Sequence, residues 1–219
     1  MANNIVAYVG IESFDTILYL SRIMQKLGRR VLLVDNSDTL ALTFSIPRIS
    51  DINTFETTIY YRRVDFTNMP VTKELAKSYD DILIYCGMKK PITSTELFTR
   101  IVYVTDLFDY NIRRIANRKE YDTCNCEKVL LIRNAVYTKI FIEHISKQIS
   151  STIAVDKTKV LYRDDSDYIN CLNSHMNQVF TLNLSRHYRK YLVDQVEVMC
   201  NDFTRKEINK AYRRARNGD

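Results

Sequence analysis

The stretch IVAYVGIESFDTILYLSRIMQKLGRRVLLVD, residues 5–35, constrains the chain more than any other. Residues 5–9 are a short continuous apolar run, as a strand buried on both faces requires. Asp15 or Thr16 is placed to cap a following helix. Its apolar positions Ile17, Leu20, Met24 and Leu27, widened by Leu18 and Ile23, share one face. Gly28 is the expected C-cap, and residues 31–34 read as a second strand. Strand, helix and strand in this order make a crossover unit, which winds right-handed.

The turn of that unit, GIESFDT, lies where a phosphate-binding loop would lie, yet it holds one glycine and no lysine. Phosphate binding at a helix N-terminus needs exposed amides and preferably a cation. Glu12 and Asp15 each repel a phosphate, and β-branched Ile11 resists the left-handed geometry that glycine supplies. The chain has only four glycines, at 10, 28, 87 and 218, so glycine-built cradles are scarce throughout.

Beyond residue 35 the alternation continues. Strands are expected at 58–62 (an edge or outer strand), 81–85, 100–105, 128–132 and 160–162. Helices are expected at 70–77 (opened by Pro70), 108–118, 138–149, 165–172 and 186–200, with irregular chain at 36–57 and 119–127. Strands alternating with helices predict a mostly parallel central sheet with helices on both faces. A chain of 219 residues suits one core, and no repeat or Gly/Ser/Pro linker divides it. The expected organisation is one domain over residues 1–200, then a basic helix or tail over 201–219.

Lys and Arg outnumber Asp and Glu by 32 to 26, for a net charge of +6. That excess permits an anionic partner but is mild for a protein gripping DNA nonspecifically. Five cysteines without regular spacing read as reduced thiols of a cytoplasmic protein. Cys124 and Cys126 are too close for a zinc knuckle, and neither the three histidines nor RDDSD at 163–167 makes a metal motif. No metal or cofactor is expected. Cys86 after a strand and His144 in a helix lack the oxyanion donors of a nucleophilic site. No signal peptide or membrane span is expected either.

The order of segments resembles the ParA/MinD superfamily of deviant P-loop ATPases. The likeness rests on Leu27, Gly28, residues 31–35 (VLLVD) and Asp38, and more weakly on SYDDILIYCG, KVLLIRNAV and LNLSRHYRKYLVDQVEVM. It implies a three-layer P-loop-NTPase-like fold. Aligned on the family's loop, Val9 and Phe14 stand where lysines would be, Ile11 and Ser13 where glycines would be, and Asp15 where a magnesium-binding hydroxyl would be. In the later strand, Tyr85 takes the acidic position. The resemblance therefore implies a pseudo-ATPase. Family dimers form across the nucleotide face, so the turn (Gly10, Glu12, Ser13, Phe14, Asp15, Thr16) with Asp35, Asp38 and Tyr85 becomes a degenerate site and a candidate interface. Asp35 equally suits a plain role, holding loop amides. Asn134 matches a position that can contact adenine, although an asparagine after a strand is ordinarily a turn residue.

The tail gathers Arg205, Lys206, Lys210, Arg213, Arg214 and Arg216 opposite a modest apolar face of Ile208, Ala211, Tyr212 and Ala215. Such a helix suits a partner protein, DNA phosphates or the inner face of a membrane, or is simply a solubilising terminus. The function expected is a non-catalytic adaptor or scaffold for a positioning, pilus or secretion assembly, binding a protein partner or a second copy. The alternatives are a nucleotide-responsive ATPase-like switch and a DNA or nucleoid adaptor.

Overall fold

A computed structural model describes residues 4–47, 58–136, 139–177 and 181–216. Its first unit is β1 (Asn4–Gly10), α1 (Phe14–Lys26) and β2 (Val31–Asp35). A single helical turn α2 (Ala41–Phe44), the hairpin β3 (Ile59–Tyr61) and β4 (Val64–Thr67), and a second single turn α3 (Lys73–Ala76) lead to β5 (Asp81–Gly87). Then follow β6 (Arg100–Thr105), α4 (Asp109–Ala116), β7 (Glu127–Ala135), α5 (Ile142–Ile149) and β8 (Lys159–Tyr162). Three helices close the chain: α6 (Asp165–Asn177), α7 (Arg186–Met199) and α8 (Arg205–Arg216).

The eight strands form one sheet in the order β3-β4-β2-β5-β1-β6-β7-β8. All neighbours are parallel except the edge hairpin β3/β4. Side chains alternate between two cores. In β1, Val6 and Tyr8 enter one core while Ile5, Ala7 and Val9 enter the other; β5 divides Leu83 and Tyr85 from Ile82, Ile84 and Cys86. Both faces are thus covered, and the strands read as unbroken apolar runs for that reason. The architecture is the three-layer α/β fold expected from the sequence.

Several boundaries differ from expectation. α1 starts at Phe14 with Ser13 at the N-cap position, so Asp15 and Thr16 lie inside the first turn instead of capping it. Thr72, not Pro70, sets the start of α3, accepting from the Leu75 amide at 3.1 Å. β4 and the single turn α2 were not anticipated, and α5 begins later than residue 138. Residues 48–57, within the stretch read as irregular, residue 138, the first of the expected 138–149 helix, and residues 217–219 of the expected tail lie outside the described residues. Gly28 meets expectation. At φ +87 it lets its own amide reach Gln25 O (3.0 Å) and the Arg29 amide reach Met24 O (3.2 Å), the paired bonds of a Schellman ending.

α1 is buried on every side from Asp15 to Met24, where one apolar face was expected. The cause is α7 and α8, which pack over its outer side. α8 turns Ile208, Ala211, Tyr212 and Ala215 into this core, and the Tyr212 hydroxyl donates to Leu182 O at 2.8 Å. That apolar face therefore serves the domain itself and is not open to a membrane or partner. Arg205 is held by Asp194 and Glu197, while Lys206, Lys210, Arg213, Arg214 and Arg216 remain exposed. No helix among the described residues is long and apolar enough to cross a membrane.

Candidate functional site

The C-terminal ends of β1, β2, β5, β6 and β7 meet at one edge of the sheet, where open parallel sheets bind ligands. Gly10 ends β1 with φ +133, and a Cβ there would sit 1.9 Å from Val104 O. The glycine is thus required by the close approach of β1 to β6, whatever lies above it. The next amide, Ile11 N–H, donates to the same carbonyl at 2.9 Å and is committed to the sheet.

Asp15 lies in the first turn of α1, where a negative charge favours the helix dipole, and is almost fully buried. Arg133, near the end of β7, grips it with both terminal nitrogens, Nη1 to Oδ1 at 2.6 Å and Nη2 to Oδ2 at 2.7 Å. Nη1 also donates to Glu12 O at 2.8 Å. The Tyr188 hydroxyl of α7 donates to Asp15 Oδ2 at 2.8 Å and lies 2.5 Å from Thr16 Oγ1, and the guanidinium stands over the Tyr188 ring. Burial opposes the charge on Arg133, but Asp15 outweighs it and raises the arginine well above its usual range. A carboxylate and its bidentate cation therefore fill the helix start with the protein's own charges.

Glu12 is exposed and accepts from the Tyr85 hydroxyl of β5. Burial, then this contact, pushes the tyrosine far above its ordinary range. Asp35, at the end of β2, is buried and satisfied by neutral donors. Oδ1 takes the Ser37 amide (3.1 Å) and hydroxyl (2.6 Å), and Oδ2 takes the Thr43 amide (2.9 Å) and hydroxyl (3.1 Å). Its role is to fold the loop into α2. Asp38 is exposed beyond it. The Ser13 hydroxyl is buried without a hydrogen-bond partner and does not cap the helix. Asn134 has φ +56 and sits exposed in the irregular step of the β7/β8 pairing, a turn conformation asparagine tolerates.

These groups do not suit a magnesium triphosphate. Asp15 and Glu12 present carboxylates, the Ile11 amide is used, and the Arg133 guanidinium is already bidentate on Asp15. Phe14 is half-buried in the helical core and meets the His175 ring edge-on at 5.7 Å; His175 Nδ1 lies 3.1 Å from Ser45 Oγ. His175 belongs to α6, which is amphipathic in reverse. Inward it turns Asp167, Asn170, Cys171 and Ser174, with Asp167 accepting from the Ser185 amide and hydroxyl (both 2.6 Å) and Asn170 donating to Tyr19 Oη (2.8 Å). Outward it exposes Tyr168, Ile169, Leu172 and Met176, the last 71% exposed.

No protein-family model matches the chain, and no curated protein does. Solved structures do. A ParA family ATPase from Chlorobium tepidum TLS aligns over 87% of this chain and 97% of its own, at 15% identity and TM-score 0.58. A putative plasmid partition protein from Borrelia burgdorferi B31, bound to AMPPNP, aligns over 91% and 99%, at 12% identity and TM-score 0.59. The MinC:MinD cell division complex of Aquifex aeolicus aligns over 99% and 97%, at 11% identity and TM-score 0.56. The chain has the ParA/MinD fold. In this chain the Gly10–Thr16 segment joins β1 to the first turn of α1.

Arg133 and Tyr188 were not legible as site residues. Arg133 carried a faint signal, a charged residue closing the apolar run KVLLI; Tyr188 carried none. The reversed face of α6 was visible in principle, since Tyr168, Leu172 and Met176 follow helical spacing. The remaining candidates stay apart from this edge or serve local structure. Cys86 is buried, and burial pushes its thiol up to about 11. His144 and His187 are exposed on α5 and α7, and Asp164 holds the Ser166 amide and hydroxyl at the start of α6.

Proposed function

We propose that this chain is a non-hydrolysing ParA/MinD-like adaptor that docks a homologous subunit through the edge carrying Phe14 and the outer face of α6. The observation that carries this reading is the reversal of α6: polar residues are turned inward and four large apolar ones outward, beside the degenerate loop. Helices normally bury such side chains, and a contiguous exposed patch of them marks an interaction surface. The Asp15–Arg133 pair supports the loss of hydrolysis, because it uses the helix terminus that a phosphate would need. The partner class is a positioning, pilus or secretion assembly, by analogy with the fold's known members.

Light scattering with the substitutions Leu172→Glu and Met176→Glu tests this. Both positions are exposed, so folding is expected to be unchanged while self-association or capture of a ParA/MinD-fold partner is lost. Association unaltered by both changes would remove α6 from the proposal.

A second reading is a nucleotide-responsive switch, and the comparisons favour it more than the geometry does: the Borrelia protein of the same fold was solved with AMPPNP. Saturable AMPPNP–magnesium binding with a change of oligomeric state would establish it. A DNA-adaptor role draws on the exposed cations of α8. It requires a salt-sensitive DNA shift that Arg213→Glu with Arg214→Glu abolishes.

A further inference from the structure

A second cluster lies away from this edge, in the turn leading into β7. The Sγ atoms of Cys124 and Cys126 are 2.6 Å apart as free thiols, well inside the contact distance of two sulfurs. Cys124 is buried and its thiol also donates to Thr95 O at 3.2 Å, while Cys126 is half-buried. Lys128 is buried, and its ammonium donates to the Asp122 main-chain carbonyl at 2.8 Å; its charge favours a thiolate on Cys126, while burial, Cys124 and Glu127 oppose one. The buried Tyr103 hydroxyl neighbours both sulfurs and the Asp122 carboxylate. Two sulfurs already inside their contact distance are placed for thiol–disulfide exchange.

We propose that Cys124 and Cys126 are a redox-active dithiol that closes to an intrachain disulfide by exchange with a small-molecule disulfide. The Cys126 thiolate, the more accessible, attacks one sulfur of the small disulfide. That S–S bond breaks, a mixed disulfide forms on Cys126, and the first small thiol leaves with a proton. Cys124, deprotonated in turn, attacks Cys126 Sγ; the protein disulfide forms and the second small thiol departs with the other proton. The dithiol loses two electrons and two protons, and the small disulfide gains them. Burial and the adjacent Cys124 thiol push Cys126 up to about 12, so its thiol must lose a proton before it attacks.

The test uses the full chain incubated with oxidised glutathione, alkylated and digested with trypsin. Cleavage after Lys119 and Lys128 releases both cysteines in one peptide, residues 120–128. The expected product is that peptide lighter by two hydrogens, with neither thiol alkylated, and fully reversed by reduced glutathione. Cys126→Ser should abolish closure and leave Cys124 alkylatable. Retention of two alkylatable thiols, or a glutathione adduct on each cysteine, overturns the proposal. Neither result depends on a variant folding, since the wild-type chain gives both.

Discussion

The turns after β1 and after β2 lie at the same edge of the sheet, and each buries a carboxylate. Asp35 is satisfied within its own loop, by Ser37 and Thr43, all neutral donors. Asp15 is satisfied from across the chain, by Arg133 and Tyr188. The first is a local device that shapes a connection. The second ties the start of α1 to β7 and α7, and it neutralises the positive charge of Arg133. Two buried aspartates therefore do different work, one folding its own loop and the other fastening a helix start to distant elements.

The largest expected effect separates these two. Arg133→Met leaves Asp15 buried beside an apolar chain, and breaking a buried pair from one side destabilises by about 3–5 kcal/mol. Adding Asp15→Asn should recover much of that loss, because the uncompensated charge disappears. Denaturant unfolding of the single and double variants measures both, and a double variant no better than Arg133→Met would contradict the pairing. Asp35→Ala strands local amide and hydroxyl donors and should cost about 2–3 kcal/mol by the same measurement. No change at Arg133 should rescue it. Tyr188→Phe keeps the ring under the guanidinium but removes its bond to Asp15, a loss of about 1 kcal/mol.

The smallest effect is a pH response at the opposite end of β7. Burial alone would raise Glu127, but Lys157 and Arg100 prevail and hold its carboxyl below the usual range. A depressed carboxyl contributes stability in full above its unfolded value, near ~4.3, and loses it as pH falls through the folded value. Acid titration of unfolding should thus show a small loss below that point, and Glu127→Gln should flatten it. A loss unchanged in that variant would assign it to other carboxylates.

Much of the fold was legible because its signals are local. Apolar runs at β1, β2, β5, β6 and β7 need only a sheet covered on both faces, and Gly28 needs only a helix to end. The edge strand β3 was expected but its return strand β4 was missed, because the turn residues Arg62 and Arg63 adopt positive φ (50° and 63°) without the glycine or asparagine that announces such a turn. The destination of the basic tail's apolar face was missed for a related reason. Tyr212 and two alanines look like a weak amphipathic face, until the outer side of α1 provides the surface they cover. At the site, the family resemblance implied the missing lysine and glycines. It could not supply Arg133, which lies 118 positions from Asp15 and meets it only through the sheet order.

The central claim is that the protein's own ion pair takes the place of a bound phosphate. Titration calorimetry of the wild-type chain with ATP and magnesium addresses it directly. The account predicts no saturable heat at millimolar nucleotide; binding in the micromolar range, weakened by a change at Asp15 or Asp35, would contradict it.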